Sequence, residues 1–278
     1  MTLESGFDQS KLEQTARNSV EGQLLLNQYR WESWSAAIDM SPDELVRLFD
    51  NDLQNYEHMP MMALLAQCIG HFEGVEQADI DIATAALLLH DLPEAKIHDG
   101  HLGDIALSLK TFEHEKEEAR IFADIVARPE FAELLPCTPE TIAGVMDESD
   151  SLKRSKGTNF TELSPAGQIV GLAEIIGYLR TARIAFKHYK DPAHADYAEV
   201  LLGWAVEPLT NHVPALLNIA PHSNAVQTFL EDSNPYIHEA MDEALENINA
   251  LYTVLLDNFN DTVADKTVGS LFRLAERR

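Results

Sequence analysis

Apolar side chains recur along this chain at helical rather than strand spacing, and that periodicity limits the fold before any motif is considered. Leu45, Leu48 and Leu53 open the pattern; Met62, Leu65, Ile69 and Phe72 continue it, and Ile82, Ala85, Ala86 and Leu89 repeat it. Residues three, four and seven apart share one face of an α-helix, whereas a half-buried strand alternates at every second position. The expectation is an all-α protein, a helical bundle with additional C-terminal helices. Ser41-Pro42-Asp43-Glu44 supplies an N-cap serine, a proline at the first helical position and acids in the first turn. Thr138-Pro139-Glu140 and Ser164-Pro165 repeat the device, so helices are predicted to begin near 42, 139 and 165.

Two stretches lack the period. Asp99 to Gly103 is glycine-punctuated, and Asp147 to Leu163 is polar and carries Lys153, Arg154, Lys156 and Gly157, which suggests a mobile basic loop. Farther on, Asp191-Pro192, Glu207-Pro208, Val213-Pro214, Ala220-Pro221 and Asn234-Pro235 punctuate a helical tail, whose last long element is expected from about Pro235 to Phe259. Leu201, Leu202, Trp204 and Val206 are expected to pack onto the core. The organisation predicted is a helical catalytic unit with an N-terminal extension over 1–190 and a helical extension over 191–278 packed on it.

Charge narrows the partners. Lys and Arg number 20 against 46 Asp and Glu, a formal net charge of -26, which repels polyanions and leaves nucleic acid and anionic membrane as poor partners. A small phosphorylated substrate remains compatible, because a bound divalent cation reverses the local field. Cys68 and Cys137 make no disulfide framework, the N-terminus lacks an apolar signal core, and no stretch approaches the roughly 20 apolar residues of a membrane helix. A cytoplasmic location is the expectation.

The sharpest local feature is the run from Ala85 to Glu94, an apolar helix ending in His90-Asp91 and followed by Glu94. Imidazole nitrogen and carboxylate oxygen both bind borderline divalent metals, and the apolar run anchors them. A buried His hydrogen-bonded to an Asp is also a common structural unit. His58 opens a second amphipathic helix, where it can face the end of the first. Glu174 stands alone in the apolar stretch from Gln168 to Leu179 and needs a partner there: a metal, or Arg180 or Arg183 a turn or two away.

Together these motifs, EHMPMMALLAQ, LLLHDLPEA, LGDIALSLK and IVGLAEIIGYLRTA, resemble the HD superfamily of metal-dependent phosphohydrolases, and within it the bacterial 5′-deoxynucleotidases. The resemblance runs from about Tyr56 to Ala185. It implies an HD-type helical bundle, metal ligation by His58, His90, Asp91 and Glu174, and catalytic roles for Glu94 and Asp104. It also implies a phosphate contact for Lys110, and a homodimer. Glu174 stands where the family has Asp, one methylene shorter. The chain between Glu94 and Asp104 is longer than in those relatives, so Asp99 competes with Asp104. Arg30 and Trp31 resemble an Arg-Trp pair ahead of the first His, as substrate contacts, but a long insertion separates them from His58.

The function implied is removal of phosphate from a (deoxy)nucleoside 5′-monophosphate with one divalent ion, Mn²⁺, Co²⁺, Fe²⁺ or Zn²⁺. His98, His101 and His114 crowd the same neighbourhood and open an alternative, an HD-fold di-iron oxygenase. The drift at Glu174 opens another, a catalytically degenerate HD-fold binding or scaffold protein that uses its acidic C-terminal helices.

Overall fold

A computed structural model describes residues 6–26, 55–97, 112–258 and 261–276, and every regular element among them is a helix. None of these helices is long and apolar enough to cross a membrane. In chain order they are α1 (Gln9–Asn18), α2 (Val20–Leu25), α3 (Asn55–Glu73), α4 (Gln77–Leu87), the single turn α5 (Glu94–Ile97), α6 (Phe112–Val126) and the single turn α7 (Pro129–Ala132). Then come α8 (Pro139–Arg154), α9 (Pro165–Tyr189), α10 (Ala198–Ile219), α11 (Asn224–Glu246), α12 (Ile248–Asn258) and α13 (Asp261–Ala275).

The starts predicted near 139 and 165 hold, and their caps show why. The Thr138 hydroxyl accepts from the Thr141 N–H at 3.3 Å and the Ser164 hydroxyl from the Gly167 N–H at 3.1 Å, with Pro139 and Pro165 in the first turn. The start expected near 42 lies outside the described residues.

Helix α9 is the axis of the fold. Ala166, Val170, Ala173, Leu172, Ile175, Leu179 and Ala182 are buried around its circumference, the mark of a helix enclosed on most sides. It packs against α3, α4, α8 and α10. Gly177 sets the closeness of α3: a β-carbon there would stand 2.7 Å from Met62 Sδ and 4.0 Å from His58 Cε1. The absent side chain thus lets α3 bring His58 up to α9. Beyond α9, Leu201, Leu202, Trp204 and Val206 of α10 are buried as expected, and α11, α12 and α13 all pack on α10.

One expectation holds only in part and another fails. The segment 147–163 is irregular only beyond Arg154: α8 runs through its first half, because Ile142, Val145, Ser149 and Leu152 fall at helical spacing on one buried face. The helix ends only where Lys156 and Gly157 take φ of 52° and 81°, and the Gly157 N–H bonds back to the Leu152 carbonyl at 3.0 Å. The last long helix does not start at Pro235. That proline lies inside α11, and α12 and α13 follow it. Glu231, whose carbonyl loses its helical partner to Pro235, is exposed, so water can serve the freed group. Pro208 and Pro214 are likewise carried within α10.

Candidate metal centre

Helix α4 stops at Leu87, and His90 and Asp91 lie in the tight turns that follow rather than in the helix itself. Pro93 disfavours helical backbone at Leu92, and the chain instead closes i to i+3 bonds, Leu92 N to Leu89 O at 3.1 Å and Glu94 N to Asp91 O at 3.0 Å. Leu87, Leu89 and Leu92 are fully buried, which fixes these turns on the core. His58 sits in the first turn of α3, across from them.

His58, His90 and Asp91 are all buried, and each offers a ligand atom within 4.8 Å of the others. The two imidazoles stand 5.5 Å apart with their planes at 52°. His90 Nδ1 lies 2.8 Å from the Leu87 carbonyl. A carbonyl only accepts, so Nδ1 carries the proton and donates it, leaving a lone pair on Nε2 in the neutral ring. That nitrogen faces Asp91 Oδ1 at 3.0 Å. Two lone pairs at that distance repel unless a proton or a cation satisfies both. Two ligands held at about 2.1 Å from one ion and at right angles stand about 3.0 Å apart, so the donor set fits a divalent metal.

Glu174 borders the same cleft from α9 but lies outside that cluster. Its partner is neither Arg180 nor Arg183. Lys153 Nζ contacts Glu174 Oε2 at 2.9 Å and Asp150 Oδ1 at 2.8 Å, and the Ser149 hydroxyl donates to the same Glu174 oxygen. Arg180 donates instead to the Met61 sulfur. Burial alone would raise the Glu174 carboxyl; the Lys153 charge and the Ser149 hydrogen bond outweigh it and hold the group ionised, below its ordinary range. Burial likewise opposes the charge on Lys153, and Asp150 and Glu174 overcome it, keeping the ammonium well above its ordinary value.

The cleft is strongly acidic. Glu94, Glu115, Glu118, Asp147 and Asp150 line it with Asp91 and Glu174, against Lys153 and Arg154. Glu94 is buried beside the cluster, at the start of α5. Burial and the neighbouring Asp150 charge both push the Asp147 carboxyl up. The space among the described residues is about 90 Å³, roughly three water molecules' worth, which suits an ion and a small group bound to it. Behind the cleft, His212 of α10 stacks on Tyr178 at 4.9 Å, and burial, with the Lys153 charge, lowers it to about 3.

Sequence reasoning missed Ser149, Lys153 and His212. The spacing of Ile142, Val145, Ser149 and Leu152 was the available signal for the first two; His212 carried none. Arg30, Trp31, Asp99, Asp104, Lys110, His98 and His101 lie outside the described residues, as does the side chain of His114.

Residues 55–175 match the family model for the HD domain. Over this stretch the chain is similar to HD domains. The match begins at the first residue of α3 and ends one residue past Glu174, so His58, His90, Asp91 and Glu174 all fall within it. HD domains bind divalent metals and characterise a superfamily of metal-dependent phosphohydrolases. Comparison with curated proteins and with solved structures gives no match.

Proposed function

We propose that this protein is a metal-dependent phosphohydrolase that removes phosphate from a small phosphomonoester, a (deoxy)nucleoside 5′-monophosphate. The observation that carries the reading is the buried meeting of His58, His90 and Asp91, with His90 Nε2 and Asp91 Oδ1 at 3.0 Å inside the HD domain. These residues would hold the ion, with Glu174 as a fourth donor. A bound Mn²⁺, Co²⁺, Fe²⁺ or Zn²⁺ supplies Lewis-acid polarisation of a phosphoryl oxygen and a more acidic water.

The chain's own groups do the rest. Leu87 fixes the His90 tautomer through its carbonyl, as an outer partner of a metal ligand does. Glu94, buried and bordering the cleft, would take a proton as general base. Lys153 neutralises Glu174 and Asp150, and with Arg154 offsets the repulsion that so many carboxylates would exert on an incoming phosphate. Asp104, Asp99 and Lys110 complete this reading as contacts to sugar and phosphate, with Arg30 and Trp31 as further substrate contacts.

The test is phosphate release from a panel containing dAMP, dGMP, dUMP and non-nucleotide phosphomonoesters, with each divalent metal in turn. Release from the nucleotides that disappears in Asp91→Ala supports the reading in full. Release from the other esters alone retains the hydrolase and removes the nucleotide. One observation favours a second reading, a catalytically degenerate scaffold: Lys153 occupies Glu174, the position that departs from the family pattern. That reading predicts no turnover with any ester or metal.

A further inference from the structure

The outer face of α9 borders a second, different space. Leu65 of α3, Ile176 and Leu179 of α9, and Phe229 and Ile237 of α11 wall an open groove of about 680 Å³, within the roughly 300–1,000 Å³ typical of small-molecule sites. Along its α9 edge stand Arg180, Arg183 and Lys187, and no acidic residue lines it among the described residues. In a chain with 46 acidic and 20 basic side chains, composition would place acids there.

Two further observations point to a ligand. Arg183 and Lys187 are exposed and make no ion pair or hydrogen bond among the described residues. Tyr236 lines the groove with its ring packed on Phe186 at 5.6 Å, and its hydroxyl is shielded from solvent without a hydrogen-bond partner among the described residues. A buried donor left unpaired is costly, so the hydroxyl needs an acceptor. Burial raises the phenol and outweighs the opposing Arg183 charge, which keeps the O–H protonated.

We propose that this groove binds a small amphipathic anion, a carboxylate or phosphate on a medium-length apolar chain. Its head engages Arg183, Lys187 and the Tyr236 hydroxyl, and its body lies against Leu65, Phe229 and Ile237. Charge-assisted hydrogen bonds hold the head and buried apolar area holds the chain. The same chemistry occurs free in solution and as a lipid in a bilayer. The net charge of -26 repels an anionic membrane, so the free molecule is the ligand assigned. The site is separate from the metal cleft and stands whether or not the chain hydrolyses phosphate esters. Because α9 also carries Glu174, the ligand would touch the helix that builds the cleft.

Calorimetric titration of the full chain with decanoate tests this. Saturable binding is expected for the wild type and for Asp91→Asn, and none for acetate. Arg183→Gln/Lys187→Gln should weaken decanoate at least about tenfold, and Tyr236→Phe about threefold. The charge reversal Arg183→Glu/Lys187→Glu should abolish binding, with circular dichroism confirming that each variant is folded. No saturable binding, equal binding by the double variants, or loss of binding in Asp91→Asn would each overturn the proposal. So would sedimentation with phosphatidylglycerol vesicles that depends on Arg183 and Lys187 while decanoate fails to bind, since it would assign the patch to a membrane surface.

Discussion

Helix α9 divides two pockets of opposite character. On one face Glu174, Gly177, Tyr178 and Thr181 border an enclosed acidic cleft; on the other Ile176, Leu179, Arg183 and Lys187 border an open, apolar and basic groove. The helical period alone separates the two sets, since residues three or four apart share a face. In the cleft the cation Lys153 is engaged with Glu174 and Asp150, but carboxylates outnumber cations there and leave an excess of negative charge. In the groove Arg183 and Lys187 are unmatched among the described residues. Excess negative charge builds a site that a metal completes; unmatched positive charge leaves a site that an anion from solution completes.

The largest contrast should be in catalysis. Asp91→Ala is expected to lower phosphate release by at least about 100-fold, since even outer partners of metal ligands change activity by 10–100-fold, while Arg183→Ala leaves it within about twofold of wild type. Steady-state phosphate release on both variants measures this. A comparable loss in Arg183→Ala would mean that the two faces are not separate.

Stability should divide the same way. Lys153→Met leaves Glu174 buried without its cation and should cost about 3–5 kcal/mol by urea denaturation in chelator, the usual cost of breaking a buried pair. Added metal should restore part of that loss. His212 gives a pH signature on the cleft side. Its folded value lies at about 3 against an ordinary 6.5, so the unfolded chain binds the proton first as pH falls. Its contribution is fully present above about pH 6.5 and is lost below it, by up to about 1.4 kcal/mol per pH unit. Urea midpoints at pH 7 and pH 5 should converge in His212→Phe relative to wild type. Gly177→Ala, which presses a methyl onto the adaptable Met62 side chain, should cost about 1 kcal/mol. Arg183→Ala should lie within about 0.5 kcal/mol of wild type, because nothing in the fold depends on it.

Much of the cleft was legible in the sequence, and its limits were physical. The apolar run before His90 and the isolated Glu174 mark positions where a polar group must be held inside a core, so composition and period point to them. The N-caps at Thr138 and Ser164 were readable because capping is local. Lys153 was not, since a polar helix face looks like a loop when only its charges are considered, although Val145, Ser149 and Leu152 carry the helical period. Pro235 misled because a helix tolerates a proline where the freed carbonyl finds another hydrogen-bond donor, and the exposure of Glu231 lets water be that donor. The basic groove draws Leu65, Arg183 and Tyr236 from helices far apart in the chain, and no local pattern announces such a meeting.

The most direct test of the metal centre is the divalent metal content of the purified protein by elemental analysis, in wild type, Asp91→Ala and Arg183→Gln/Lys187→Gln. The account predicts one ion per chain in the wild type and in the groove variant, lost in Asp91→Ala. A wild type that holds no metal when supplied with Mn²⁺, Co²⁺, Fe²⁺ or Zn²⁺, or an Asp91→Ala variant that retains its ion, would contradict it.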